Sequence, residues 1–217
     1  VFKKAAREEI ESLEKKGSWV VVKRASVKSN ILPSTWALKR KRYPDGRIRK
    51  YKARFCVRGD RQRFGIDFDE TYAPVVQWSS VRMLFTLALT LGLKTRQVDY
   101  SNAFVQADID GEVYCELPQE FLGPDNDQYV LKLKKSLYGL KQAPRLWFKM
   151  LEKSLHDRGF QSSENDPCLF LKKGLVALVY VDDVLFFEKS DAIIDEMIAT
   201  LKRDFDLKVE GTVDAFL

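Results

Sequence analysis

Between residues 175 and 188 the chain reads Leu175-Val-Ala-Leu-Val-Tyr-Val-Asp-Asp-Val-Leu-Phe-Phe-Glu188, in which two apolar runs flank a pair of acids. Short apolar runs rich in Val, Leu and aromatic residues are typical of buried strands, so the stretch predicts a hairpin with Asp182 and Asp183 at its tip. Two adjacent carboxylates beside so much hydrocarbon are costly unless a positive charge compensates them. A divalent cation is the obvious candidate, because hard cations prefer carboxylate oxygens. The alternative is that Asp-Asp is only a polar turn, a role that Asp fills well.

A third acid ends another predicted strand. Residues Thr95 to Asp99 have a strand pattern, and Ser101 to Phe104 could begin a short helix. Taken alone, Asp99 would be interpreted as a helix N-cap. Ligand sites, however, tend to lie where strand ends meet, so Asp99 is predicted to project toward the Asp182–Asp183 turn.

The composition argues against several classes of protein and of catalytic site. No apolar run approaches the length of a membrane span, and residues 1–16 lack a signal-peptide pattern. Cys56, Cys115 and Cys168 show no paired spacing, so they predict neither a disulfide framework nor a zinc site and favour a reducing intracellular setting. His156 is the single histidine, which nearly excludes histidine-based metal or triad chemistry.

Positive charge is concentrated in one segment of the chain. The net charge is +6, but residues Lys23 to Arg63 hold 15 lysines and arginines against two aspartates, which makes this segment +13 and the remainder −7. Within it, Trp36 to Arg58 predicts a hairpin with the turn Tyr43-Pro-Asp-Gly46 and a basic face. That face could simply protect a sheet edge, a common use of lysine. Its concentration favours contact with nucleic acid or nucleotide phosphates.

The rest of the chain alternates between helix and strand patterns. Apolar residues at helical spacing predict helices over residues 2–16 with Gly17 as the stop, after Ser79 or Ser80, from Pro144 to Gly159, and after Ser190 or Asp191. Shorter apolar runs predict strands at residues 19–22, 112–117, 129–133, 168–172 and near 207. This order predicts an α/β sheet with helices packed on one face, preceded by the basic lobe.

Three aspartates beside a basic lobe fit two-metal phosphoryl transfer. Two divalent ions about 3.5–4 Å apart can activate the attacking oxygen and stabilise the leaving one. Asp99 and Asp182 would bridge the ions, and Asp183 would complete or tune the site. The backbone carbonyl of Tyr100 could add a ligand. The basic hairpin would neutralise a triphosphate, because positioning and charge compensation carry most of the catalysis in this chemistry.

Several segments, taken in order, resemble the reverse transcriptases of copia-type long-terminal-repeat retrotransposons. The segments that carry the resemblance are Tyr51-Lys-Ala-Arg54, Gly65-Ile-Asp67, Pro74-Val-Val76, Val98-Asp-Tyr-Ser-Asn-Ala-Phe104, Gly111-Glu-Val-Tyr114, Leu131-Lys-Leu-Lys-Lys-Ser-Leu-Tyr-Gly-Leu-Lys-Gln-Ala-Pro-Arg145 and Tyr180-Val-Asp-Asp183. The last alone is a weak signal, whereas all of them in order with compatible spacing are specific. Together they cover nearly the whole chain.

The resemblance implies an α+β, right-hand polymerase fold, with fingers and a palm whose antiparallel sheet is backed by helices. Residues 1–90 would form the fingers, with the basic hairpin at 36–58. Residues 91–217 would form the palm, with a second fingers contribution near 112–145. Thumb and RNase H regions are expected to be absent, so the fragment is expected to grip primer and template poorly. The implied activity is RNA-directed DNA polymerisation, which transfers nucleotides from dNTPs to a primer 3′-hydroxyl on an RNA or DNA template.

The same resemblance assigns roles to individual residues. The catalytic residues would be Asp99, Asp182 and Asp183, with Tyr100 as a further metal ligand. Phe104 matches the bulky residue beneath the incoming sugar, where a ring would crowd a 2′-hydroxyl, although ordinary core packing would also explain it. The other dNTP-binding residues would be Lys41, Lys52, Arg54, Tyr138 and Gly139. The template–primer residues would be Arg58, Lys141, Gln142 and Tyr180. No hydrogen-bond role is carried over to the Tyr138 side chain, because many related retroviral enzymes have Gln there.

Cofactors and partners follow from the resemblance in the same way. Two Mg²⁺ ions are expected, with Mn²⁺ as an alternative, since both suit oxygen ligands. The expected partners are an RNA template, a DNA primer strand, dNTPs and the RNase H and integrase segments of a Pol polyprotein, with no membrane. The expected location is intracellular, in cytoplasmic virus-like particles with access to the nucleus. Two alternatives stay open: a decayed copy that survives as a nucleic-acid-binding module, and a nuclease that uses the same metals.

Overall fold

The structure is a computed structural model that describes residues 1–118 and 126–212. Its chain clusters into two compact units. The first consists of Val1–Tyr72 and Phe104–Trp147, and the second of Ala73–Ala103 and Phe148–Leu217. Part of the predicted second fingers contribution near 112–145, and the last residues of the predicted palm, lie outside the described residues.

The described elements are five α-helices and twelve strands, numbered in chain order. The helices are α1 (Phe2–Lys15), α2 (Trp78–Leu91), α3 (Ala103–Gln106), α4 (Ala143–Asp157) and α5 (Asp191–Leu201). The strands are β1 (Trp19–Lys23), β2 (Ile31–Leu32), β3 (Ser34–Arg42), β4 (Ile48–Val57), β5 (Lys94–Tyr100), β6 (Tyr114–Glu116), β7 (Tyr129–Leu133), β8 (Gln161–Ser162), β9 (Leu169–Lys172), β10 (Leu175–Tyr180), β11 (Asp183–Glu188) and β12 (Leu207–Gly211). Among these described helices, none has both the length and the apolar character needed to cross a membrane. The mixture of sheets and helices is the α+β class that the family resemblance implies.

The first unit contains a four-stranded sheet and a separate hairpin. The sheet has the order β1-β7-β6-β2, in which β2 and β6 are parallel and the other neighbours antiparallel. The hairpin of β3 and β4 confirms the one predicted around Tyr43 to Gly46. In β4, Ala53, Phe55 and Val57 are buried, as their alternation predicts, because every second residue of a strand points to the same face.

One hydrophobic core joins α1, the hairpin and the four-stranded sheet. Its buried members include Ile10, Leu13, Leu32, Phe55, Val57, Val105, Cys115, Val130, Leu131, Leu133, Leu137 and Leu140. Phe104 and Tyr138 pack against this core while partly buried. Both rings therefore contribute to packing and still keep part of their surface outside the core.

The second unit contains a six-stranded sheet in the order β12-β5-β11-β10-β9-β8, antiparallel throughout. The predicted hairpin at residues 175–188 is β10 and β11, near the middle of this sheet. Val184 to Phe187 are all buried, which indicates that both faces of β11 are covered.

Helices cover both faces of this sheet, so the prediction that they pack on one face was wrong. Arg96, which lies opposite Phe186 in the register, donates a hydrogen bond to Asp191 of α5 at 2.8 Å. Phe187 points to the other face, because neighbours along a strand alternate, and its ring contacts Phe85 of α2 at 5.8 Å. The continuous apolar run of β11 was the signal for two covered faces.

One predicted helix boundary agrees with the structure and another does not. The end of α1 before Gly17 is confirmed, and Gly17 has a φ of 63°. Helix α2 begins at Trp78, before the predicted caps Ser79 and Ser80. Its N-cap is Gln77, whose backbone N–H donates to Asp166 Oδ2 at 3.0 Å. This tertiary contact fixes the start of the helix in place of a serine cap.

Candidate active site

The central feature of the second unit is the pairing of β5 with β11. In this register Asp99 lies directly opposite Asp183. Opposite residues of an antiparallel pair project from the same face, with Cβ atoms about 4.5–5.5 Å apart. The backbone N–H of Tyr100 also donates to the carbonyl of Asp182 at 2.8 Å, which joins the strand end to the hairpin tip. The structure therefore brings the three predicted aspartates to one end of one sheet.

The tip itself is a two-residue turn, because Tyr180 pairs with Asp183 and leaves Val181 and Asp182 between them. Val181 has a φ of 55°, which is rare for a β-branched side chain. A positive φ at the first of two turn residues is the type II′ pattern, where glycine is usual. Such strain costs on the order of 1–3 kcal/mol and persists only where surrounding structure imposes it. Here β5 and β10 flank β11 on both sides and hold the tip in one conformation.

The electrostatics of the tip favour a cation. Burial raises the pKa of Asp183, and the nearby charges of Asp182, Asp99 and Glu210 raise it further. Gln97 Nε2 opposes this shift by donating to Asp183 Oδ1 at 3.1 Å. The carboxylates around Asp183 that raise its pKa make the tip a site of negative potential, which a bound cation would relieve.

The donor chemistry of these aspartates fits a hard divalent ion, because Mg²⁺ and Mn²⁺ both prefer carboxylate oxygens. Across residues 1–118 and 126–212, no three His, Cys, Asp or Glu side chains are arranged as a ready metal-binding group. One oxygen of Asp183 is instead engaged by Gln97. The residue types and the negative potential therefore fit a cation, while the side chains do not form a finished coordination shell.

Two residues near the aspartates were missed by sequence reasoning. Gln97 lies two positions before Asp99 on the same strand, so its period-two position could have identified it. Lys208 of β12 lies opposite Asp99 on the other side of β5 and is exposed. Finding Lys208 required knowledge that β12 pairs with β5, which no local pattern provides.

Three of the residues predicted to bind dNTP lie together in the first unit. The guanidinium carbon of Arg54 lies 4.9 Å from the centre of the Tyr138 ring. The Tyr138 ring meets the Phe104 ring edge to face, with centroids 5.5 Å apart. Lys52 lies opposite Lys39 on the hairpin, and the exposed Lys41 lies opposite Lys50.

Gly139 is required by a close backbone approach. The N–H of Val57 donates to the carbonyl of Tyr138 at 2.8 Å. A Cβ on Gly139 would lie 2.1 Å from the carbonyl oxygen of Val57, and the φ of Gly139 is 91°. A Cβ on Gly59 would in turn lie 1.9 Å from the Gly139 oxygen. This contact fixes the backbone directly after the Tyr138 ring.

Gln142 has a structural role that conflicts with the predicted template–primer contact. Its side chain is 1% exposed. Its Nε2 donates to the backbone carbonyl of Asp67 at 3.0 Å, and its Oε1 accepts from Gln62 Nε2 at 2.9 Å. The amide is therefore buried and bonded within the first unit, which argues against a template–primer contact by Gln142.

The other predicted template–primer residues have partly exposed surroundings. Arg58 makes two hydrogen bonds of 2.7 Å to Asp60. Lys141 is exposed, with its Nζ 4.7 Å from the centre of the Phe68 ring. Tyr180 is half-buried in the second unit. Their contact with nucleic acid stays a prediction.

Comparison with known proteins shows the protein family to which this chain belongs. Residues 16–217 match the family described as "Reverse transcriptase (RNA-dependent DNA polymerase)". Because this match extends over most of the sequence, the chain belongs to the reverse transcriptase family.

The relatives place the chain more narrowly, among copia-type retrotransposon Pol polyproteins. It is 37% identical over 219 residues to the Retrovirus-related Pol polyprotein from transposon TNT 1-94 of Nicotiana tabacum, covering 99% of this chain and 16% of the relative. It is 35% identical to the Pol polyprotein from transposon RE1 of Arabidopsis thaliana, covering 92% and 14%. It is 34% identical to the Transposon Ty1-H Gag-Pol polyprotein of Saccharomyces cerevisiae, covering 82% and 10%. The chain thus spans at most 16% of the length of these relatives.

Proposed function

We propose that this chain carries out the nucleotide-adding step of RNA-directed DNA synthesis for a copia-type retrotransposon. The primer 3′-hydroxyl would attack the α-phosphate of a dNTP, forming a new P–O bond and releasing pyrophosphate. The observation that carries the proposal is the register that sets Asp99 opposite Asp183, beside the Asp182 turn. The proposed substrates and partners are an RNA template, a DNA primer and dNTPs, together with other segments of a Pol polyprotein.

The aspartates would hold the two divalent cations that this chemistry requires. When bound, such ions lower the pKa of the attacking hydroxyl and stabilise the leaving oxygen. Asp99 and Asp182 would bind them jointly, with the carbonyl of Tyr100 as a further ligand. Asp183 would complete the site and keep the negative potential that draws cations to the hairpin tip.

The first unit would supply the contacts to the nucleotide. Lys52 and Arg54, with Lys41 nearer the hairpin turn, would neutralise the triphosphate. Phe104 would lie against the sugar and crowd a 2′-hydroxyl. In the right-hand description, we propose the first unit as fingers and the second as palm. Helix α2 clusters with the second unit, although the predicted fingers range of residues 1–90 includes it.

Primer extension on an RNA template with Mg²⁺ tests the proposal. The assay uses a chimaeric Pol polyprotein, in which this chain replaces the matching segment of the tobacco relative. We expect Asp99→Asn and Asp183→Asn to lower kcat by roughly a hundredfold or more. Asp157→Asn, at an exposed position of α4, is the matched control and should leave activity unchanged. Full activity of Asp183→Asn would refute the assigned role.

One observation favours a second candidate, a nucleic-acid-binding module without catalysis. Lys41 lies opposite Lys50, and Lys39 opposite Lys52, on the hairpin. Like charges directly opposite one another are unfavourable and would be relieved by a phosphate backbone. This candidate predicts salt-sensitive RNA binding that Asp182→Ala leaves unchanged, together with no nucleotide incorporation by the wild-type chimaera.

A further inference from the structure

Three side chains of the first unit form a continuous stack. The Arg54 guanidinium lies over the face of Tyr138 at 4.9 Å, and the Tyr138 ring packs edge to face against Phe104 at 5.5 Å and 62°. The proposed function assigns the first of these residues to the triphosphate and the last to the sugar. Tyr138 is the contact between them.

The Tyr138 ring is a well-fixed platform. Its neighbours Leu137 and Leu140 are 0% and 3% exposed, and the carbonyl of Tyr138 accepts from Val57 N–H. The close approach of Gly139 to Val57 leaves the backbone little freedom at this point. A ring held by its backbone in this way can set the positions of the groups that stack on it.

Arg54 depends on this platform. Its Nε is buried and, in the part of the chain that the structure describes, has no hydrogen-bond partner. A guanidinium over an aromatic face gains cation–π attraction, and its flat shape suits that contact better than the ammonium of lysine does. The Tyr138 ring therefore directs the guanidinium without a hydrogen bond through Nε.

Resting on the proposed function, we propose that Tyr138 is a positioning residue that determines sugar specificity. Its ring fixes the edge of Phe104 on one side and the guanidinium of Arg54 on the other. Triphosphate affinity and rejection of ribonucleotides are then linked, because a change in the ring displaces both neighbours. The two contacts that carry this role are made by the ring.

The test measures kcat and KM for dNTPs and for the matching rNTPs in the chimaera described above. We expect Tyr138→Leu to raise the dNTP KM by about fivefold to thirtyfold, with a smaller change in kcat, and to lower selectivity for dNTP over rNTP by about tenfold. Tyr138→Phe should resemble wild type. Arg54→Lys should also raise KM and lower selectivity, and its combination with Tyr138→Leu should be clearly less than additive.

A matched control lies elsewhere on the hairpin. Arg49 lies over the ring of Tyr43 at 5.9 Å, so Tyr43→Leu removes the same kind of contact away from Phe104 and should leave selectivity unchanged. If Tyr138→Leu does not fold, Arg54→Lys and Tyr138→Phe still decide the question.

Three results would overturn the inference: unchanged selectivity in an active Tyr138→Leu or Arg54→Lys variant, a Tyr138→Phe variant as impaired as Tyr138→Leu, or additive effects in the double variant. An inactive wild-type chimaera would instead count against the proposed function.

Discussion

Asp183 is held between two residues of the neighbouring strand: it lies opposite Asp99 in the register and accepts a hydrogen bond from Gln97 at 3.1 Å. The two strand residues act on it in opposite directions, since Asp99 raises the pKa of Asp183 and Gln97 lowers it. Burial has the largest effect and raises the pKa of Asp183, and the turn residue Asp182 raises it as well, so the strand pair and the hairpin tip together set the ionisation of this carboxyl.

The first prediction concerns the pH dependence of activity. Gln97→Leu removes the hydrogen bond that lowers the pKa of Asp183, while the opposing burial and charges remain. The acidic limb of the kcat/KM profile should move to higher pH in the chimaera. Gln161→Leu, at an exposed position of β8, is the control and should leave the profile in place. An unshifted limb in an active Gln97→Leu variant would contradict the assigned role of Gln97.

The second prediction concerns stability without metal. A folded-state pKa above the ordinary Asp value of 3.8 means that stability is lost as pH rises from that value through the folded pKa. In EDTA at pH 7, Asp183→Asn should therefore raise Tm by about 1–3 °C, a modest gain because the group is half exposed to solvent. The gain should vanish below about pH 3.8.

Adding Mg²⁺ provides the internal check on this prediction. Cation binding to the native site would stabilise wild type more than the variant, so the Tm difference should shrink or reverse. A Tm difference between wild type and Asp183→Asn that changes with neither pH nor Mg²⁺ would show that the charge of the carboxyl is not its cause.

The third prediction separates steric contact from backbone conformation. Gly139→Ala places a Cβ 2.1 Å from the Val57 carbonyl oxygen at a φ of 91°, and should destabilise the chain by about 3–5 kcal/mol in urea unfolding. Gly46→Ala has a similar φ of 84° with nothing within 4 Å, and should cost only about 1–2 kcal/mol. Equal losses for the two variants would rule out the close approach as the cause.

The fourth prediction tests the buried amide pair. Gln142→Leu removes the buried hydrogen bonds that the Gln142 amide makes with Gln62 and with the Asp67 carbonyl, and should destabilise the first unit by about 1–3 kcal/mol. The double variant with Gln62→Leu should cost clearly less than the sum of the single changes, because the two side chains share a hydrogen bond. RNA affinity, measured where the variant is folded, should equal that of wild type. A selective loss of RNA binding would restore the template–primer role of Gln142.

The sequence predicted the local elements of the site well. The hairpin at residues 175–188 and the strand ending at Asp99 were visible because apolar runs and terminating acids are short-range signals. The register between them was not visible, since Asp99 and Asp183 are brought together by pairing between strands far apart in the chain. The position of Lys208 opposite Asp99 could not be predicted for the same reason, because it depends on the pairing of β12 with β5.

Burial of polar groups was the other limit of prediction. Gln142 belongs to a loop pattern that normally indicates exposure, and only its partners Gln62 and Asp67 explain its burial. The start of α2 at Trp78 has the same origin, because a contact between Gln77 and Asp166 overrides the nearby serines. The burial of Gln142 and the start of α2 each depend on a hydrogen bond between residues far apart in the chain. Such a bond produces no periodic pattern in the sequence.

The ladder that carries Asp99 and Asp183 has a mechanical consequence. Adjacent strands joined by a ladder of hydrogen bonds resist local opening, so the spacing of the two acids is insulated from motion elsewhere in the second unit. Under the proposed function, the distance between the carboxylates that would bind the cations therefore stays constant while other segments of the chain move.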